Sequence, residues 1–280
     1  MERSPATGRI TATAPAAPLP ATPPAGRLAG SALALGPAVA AILVEITHPL
    51  LHGPALHAAT VAAVLLAATA CVLHATWAGG SDAAARLVVV AAGTGWAAEA
   101  VGVATGVPFG EYRYTGGLGP QLLGVPLVVP LAWTMTAYPC LALGRRLARR
   151  RPVQVALAAW TLAAWDLYLD PQMVAEGNWT WAHPAPALPG VPDVPVTNAV
   201  GWLLFATVIT FLLDRALPDM TGPRRGDHQV PALLLGWTWL GSALGNLVFF
   251  DRPAVAAYGG VTMGATVLPY LWSVAVQRRS

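Results

Sequence analysis

Long apolar runs dominate this sequence and leave few folds open to it. Eight of them, over residues 28–47, 56–77, 83–106, 122–144, 153–169, 196–213, 230–250 and 254–276, approach or exceed the ~20 apolar residues a helix needs to cross a bilayer. Backbone N–H and C=O groups find no partner in lipid, and a helix satisfies its own. The runs predict an all-α, polytopic membrane helix bundle of about eight transmembrane helices, with seven as the alternative count. Only 10% of the 280 residues are charged, against roughly a quarter in soluble domains, which agrees with that class.

The formal charge of +3 would on its own admit a nucleic-acid partner. The placement of the cations argues against one. There is no Lys, and with eight spans and both ends inside, 14 of the 16 Arg fall on one side, leaving Arg113 and Arg252 on the other. That bias is the positive-inside pattern. It predicts a multi-pass protein of the cell's inner membrane with both termini cytoplasmic. Residues 1–27, rich in Pro and Ala, read as a disordered cytoplasmic tail rather than a cleaved signal. Residues 28–276 form a single transmembrane domain, and 277–280 a second short tail. Cys71 and Cys140 fall inside spans and read as small apolar residues, with no disulfide and no metal.

Two connectors are long, 107–121 and 170–195, and both are rich in Pro, Gly and aromatics. The charge rule puts both on the outer face. Irregular backbone at membrane depth persists only if it is buried in protein or lines a cavity, so the outer end is the expected working end. A weak internal echo supports this: LGVPLVVPLAW (123–133) and PDVPVTNAVGW (192–202) share Val-Pro at one offset and Trp at the end. Chance similarity in Val/Pro-rich sequence and a true repeat are equally open at this level.

Ionisable groups inside spans are costly and are candidates for function. Glu99 lies in the third run. Asp166 and Asp170 stand one helical turn apart in and just after the fifth. Glu111 opens the first long connector; Glu45 and His48 end the first run. Each acid alone has a structural reading, such as a Glu111–Arg113 ion pair or a loop cap at Asp170 before Pro171. Their convergence on one end of an apolar bundle favours at least one functional carboxyl. His48-Pro-Leu-Leu-His52 has histidine-box spacing, but a membrane di-iron site needs more histidines than the six here, and Pro49 disturbs the helix that would align them. A retinal pigment needs a lysine. No phosphate loop, CxxC site or Ser-His-Asp spacing is present.

Eleven Trp are unusual for this length, and Tyr112, Tyr114, Trp133, Trp165, Trp179, Trp181 and Trp202 gather around the two connectors. An interfacial aromatic belt accounts for some of them. Aromatic walls beside buried acids also suit a long apolar ligand, or a carbocation facing a ring.

With GVPFGEYRYTGGLGPQLLGVPLVVPLAW (106–133), DLYLDP (166–171), GNWTW (177–181) and VPVTNAVGW (194–202), the chain resembles the membrane carotenoid-biosynthesis family that includes the CruF-type carotenoid 1,2-hydratases and the bisanhydrobacterioruberin hydratases. It departs from the family's pattern at LPGVPD (188–193), where a Gly-Tyr-Tyr-Gly-like run is usual, and at Ala199, where an aromatic is common. The resemblance implies a hydro-lyase that adds water to the terminal C1=C2 bond of a linear carotenoid, without a cofactor. The acid-base set is then Glu99, Asp170, Asp166 and Glu111. Tyr112, Arg113, Tyr114, Trp133, Trp181, Asn198 and Trp202 contact the substrate. The implied partners are the linear carotenoid, the lipid bilayer and other carotenoid-biosynthesis enzymes, with no nucleic acid. The competing readings are a secondary transporter, which needs a polar route to both faces, and a non-catalytic carotenoid- or isoprenoid-binding protein, which would tolerate loss of every carboxyl.

Overall fold

A computed structural model describes residues 25–218 and 228–277. The tail expected over 1–27 lies almost wholly outside them, as do most of the C-terminal residues. The described chain is a helix bundle: α1 (Ala25–Thr47), α2 (Gly53–Gly79), α3 (Ser81–Thr105), α4 (Val129–Leu147), α5 (Arg151–Ala175), α6 (Val196–Ala216), α7 (Gln229–Val248) and α8 (Pro253–Gln277). Each falls on one of the eight apolar runs. Among the described residues, five segments are long and apolar enough to cross a membrane: α2, α3, α6, Ala32–Leu50 in and just after α1, and Pro253–Val276 in α8.

The bundle is organised around α4, which packs against α2, α3, α5, α6, α7 and α8. Residues 137–144 of α4 are buried on every face, as expected of a helix surrounded by protein. Here, and in α5, which packs against α4, α6, α7 and α8, protein replaces lipid. These two helices can therefore carry polar groups that a lipid-facing helix could not.

Two boundaries differ from the sequence reading. The run at 122–144 does not begin as helix. Its first residues form a small hairpin of β2 (Gln121–Leu122) and β3 (Val125–Pro126), turning at Leu123 and Gly124 with φ of 54° and 79°. Residue 170 is not a loop cap either, since α5 runs on through Pro171 to Ala175 and keeps Asp170 on the helix.

The long connectors are also more ordered than expected of an all-α chain. β1 (Tyr112–Tyr114) of the first pairs antiparallel with β4 (Trp179–Trp181) of the second, in the register Tyr112↔Trp181, Arg113↔Thr180 and Tyr114↔Trp179. A further pair, β5 (Ala187–Leu188) and β6 (Val191–Pro195), leads into α6. The connectors are thereby joined into one roof over the ends of α3, α4, α5 and α6. Gly106 closes α3 in the left-handed region, φ 73°, its N–H bonded to Gly102 O at 2.7 Å, and this cap turns the chain into the roof.

Candidate functional site

Beneath the roof lies a cavity of about 270 Å3 whose walls are largely apolar and aromatic. Two buried carboxyls face it from different helices, Glu99 on α3 and Asp170 on α5.

Glu99 is an acceptor in every side-chain contact it makes. Tyr112 Oη donates to Oε2 at 2.5 Å and Tyr114 Oη to the same oxygen at 2.9 Å, while Trp133 Nε1 donates to Oε1 at 3.1 Å. The tyrosines reach it because a strand alternates its side chains. Along β1, Tyr112 and Tyr114 turn inward and Arg113 turns to solvent. Burial, then the neighbouring Glu99 carboxylate, pushes both phenols far above their ordinary range, so each keeps the proton it donates.

Asp170 accepts from Trp179 Nε1 at 3.2 Å and from the side-chain amide of Asn198. The same amide nitrogen donates to Asp166 Oδ2 at 3.0 Å, so one Asn bridges both aspartates. Both carboxyls thus lie within reach of one amide nitrogen, one helical turn apart on α5. Asp166 is 2% exposed and stands behind Asp170 rather than on the main cavity.

The aromatic wall is built from both connector–helix junctions. Trp133 and Trp202 stack with ring centres 4.3 Å apart and planes 14° from parallel, and Trp165 meets Trp202 edge-on. These two indoles end the two echoed segments, which are structural counterparts. Each passes from an extended Val-Pro into a helix and presents its Trp seven residues after the Pro. Trp181 lines the cavity and donates to Phe109 O at 3.0 Å.

Of the residues singled out in the sequence, the fold gathers Glu99, Asp166, Asp170, Tyr112, Tyr114, Trp133, Trp181, Asn198 and Trp202. It does not bring Glu111 or Arg113 to the cavity. Both are exposed, and Glu111 Oε2 lies 4.0 Å from the exposed His183 Nε2. Their position in and beside a strand whose alternate residues face inward sends them the other way.

At the far end of the cavity stand Glu45 and His48, noted in the sequence without a role, beside Gln172 and Glu176, which sequence reasoning missed. Glu45 on α1 accepts from Trp237 Nε1 on α7. His48 Nε2 lies 3.2 Å from Thr60 Oγ1 and 3.3 Å from Glu176 Oε1. Gln172 on α5 donates to Glu176 and accepts from Arg252 Nη1 at 2.8 Å. Glu176 and Gln172 carry no motif, and only the unforeseen extension of α5 places them here.

No solved structure matches the chain. A curated relative, the bisanhydrobacterioruberin hydratase of Haloarcula japonica, is 38% identical over 142 residues, covering 49% of this chain and 46% of the relative. The match thus spans about half the length of that relative. The model of the family described as carotenoid biosynthesis protein matches residues 59–266, a span that contains Glu99, the aspartate pair, Asn198 and both stacked indoles. The chain belongs to the carotenoid biosynthesis protein family.

Proposed function

We propose that this membrane protein is a cofactor-independent hydro-lyase that adds water to the terminal C1=C2 bond of a linear carotenoid, giving a tertiary alcohol. The observation that carries the reading is the pair of buried carboxyls, Glu99 on α3 and Asp170 on α5, facing one aromatic-walled cavity beneath the roof. A cavity of about 270 Å3 lies at the small end of the range for small-molecule sites. It suits an end group, with the rest of the polyene left outside.

The chemistry follows from the contacts. Asp170, bridged to Asp166 by Asn198 and carrying a proton in this reading, protonates the alkene at C2. The tertiary cation that forms at C1 faces the stacked indoles of Trp133 and Trp202 and the Glu99 carboxylate, which three donors hold in place. Water then forms the C–O bond at C1 and releases one proton, which returns to the aspartate pair and restores the acid. The relative's name as a hydratase supports the same class. In this reading all eight helices span the inner membrane as one domain over 28–276, with both ends cytoplasmic and the carboxyl-bearing end outside. The test is expression in a host that accumulates a linear carotenoid. Products heavier by one or two waters, carrying oxygen from labelled water, are expected; unchanged carotenoid, or oxygen from O2, overturns the reading.

A further inference from the structure

One wall of the chamber carries polar groups that are not committed to the protein. Thr238, Ser242 and Asn246 of α7 line it, four residues apart and so on one face of that helix. Hydroxyls inside spans ordinarily donate to the carbonyl one turn back, as Thr60, Thr136 and Thr161 do at 3.1, 2.8 and 2.7 Å. Those of Thr238 and Ser242 donate to nothing among the described residues. A second observation is independent of the hydroxyls. Asn246 is 3% exposed and gives Nδ2 to Ser242 O at 2.9 Å, yet its Oδ1 receives no hydrogen bond from any donor among the described residues. An enclosed amide oxygen without a donor is costly, and a water placed against it removes the cost. At the inner end of the stripe, Trp237 donates to one oxygen of Glu45 and leaves the other without a donor among the described residues. At the outer end, Asn246 O accepts from Arg252 N at 2.8 Å, and the Arg252 side chain reaches Gln172 and through it Glu176 and His48. The four oxygens of Glu99 and Asp170, by contrast, each already take a donor.

We infer that this stripe is the water path of the hydration: a short file of waters held along α7, from the Arg252 end of the chamber to Glu45. The inference rests on the hydration reading and deepens it. Residues four apart on a helix are separated by about 6 Å of rise, the span of one water making two hydrogen bonds of about 2.8 Å. One water thus links Thr238 to Ser242, and a second links Ser242 to Asn246. Each then has the two or more polar partners that keep a water in a cavity. The other walls are largely apolar or, as at Thr60 and Thr136, already bonded. The stripe therefore holds water inside the chamber while the indole wall stays dry for the hydrocarbon. A water from the file gives a lone pair to the cation at C1 and forms the C–O bond. The proton it loses returns to the aspartate pair, which gave one to C2, so nothing is oxidised or reduced. Thr238, Ser242 and Asn246 act by positioning this water.

The experiment removes both uncommitted hydroxyls with little change of shape, as Thr238→Val combined with Ser242→Ala. No hydrogen bond among the described residues is lost. Thr136→Val is the control, since Thr136 lines the same chamber but spends its hydroxyl on Ala132 O. The full-length protein in native membranes is given a linear carotenoid in D2O enriched in 18O. The unsubstituted protein yields alcohol with one 18O and one added deuterium. In the double variant alcohol is expected to fall at least tenfold while recovered carotenoid gains deuterium, because the cation still forms and collapses by losing a proton. Thr136→Val is expected to hydrate within about twofold of the unsubstituted protein, as a hydroxyl bonded to its own helix holds no water. The inference is overturned if the double variant hydrates at the unsubstituted rate, if it loses alcohol and deuterium uptake together, or if Thr136→Val falls as far. If the double variant is not recovered in the membrane, Asn246→Leu is read by the same two products and decides in the same way. Absence of alcohol from the unsubstituted protein with every linear carotenoid offered would instead overturn the hydration reading itself.

Discussion

The indole of Trp133 lies flat against that of Trp202 while its Nε1 donates to Glu99, so one side chain both forms a wall of the cavity and orients a carboxyl that faces it. Glu99 is therefore held by groups from α4 and from the roof at once, and its geometry depends on both.

Glu99→Gln replaces an acceptor of three donors with a side chain that can accept on one oxygen only. At least one buried donor is orphaned, at a cost of about 1–3 kcal/mol. Hydration should fall by roughly 100-fold or more, the usual contribution of an acid-base or charge-stabilising group. Tyr112→Phe and Tyr114→Phe each remove one donor and should cost less, near tenfold. The check is product per unit of membrane-inserted protein, measured by mass analysis.

Asp170→Asn removes the group that faces the alkene and should abolish the added hydroxyl without lowering protein level. Full hydroxylation in both this variant and Glu99→Gln would withdraw the site assignment.

Glu111→Gln and Arg113→Ala should retain activity within about twofold, because exposed substitutions of this kind are usually within ~0.5 kcal/mol of neutral. A large loss in either would mean that the roof moves to bring them inward.

Gly95→Ala tests the indole wall from behind. A Cβ there would lie 2.4 Å from Trp133 Cγ, so the ring or α3 must shift. Overpacking of this kind costs about 1–3 kcal/mol. A lower unfolding temperature in detergent and reduced hydration are expected together.

His228, just before α7, sits against Tyr270 Oη at 3.0 Å, and burial, then Arg146 and His74, lowers its pKa to about 4. Its ordinary value is near 6.5, so between the two the unfolded chain binds the extra proton. Its contribution to stability is thus complete above pH 6.5 and lost as pH falls towards 4. Thermal unfolding at stepped pH should show this loss, and His228→Gln should flatten it.

The helices were legible because lipid imposes a length and a composition that any span must meet. Glu99, Asp166 and Asp170 were legible as charges where charge is expensive. The roof was harder to read. In the stretch Glu-Tyr-Arg-Tyr the acid and the cation draw attention, yet a strand turns alternate residues apart, and here the tyrosines face inward. Nothing local announces that strand, because its partner lies 67 residues further along. Glu176 was invisible for a related reason: Pro171 reads as a helix stop, and the packing of α5 against its neighbours carries the helix past it.

The ladder between β1 and β4 has a consequence for traffic. A ceiling stitched by main-chain bonds between two connectors cannot swing aside as a flap without breaking them. Under the proposed hydration, a polyene would then enter sideways from the bilayer along α1, α2 and α7, the helices that border the chamber away from the roof, and the alcohol would return to that same phase.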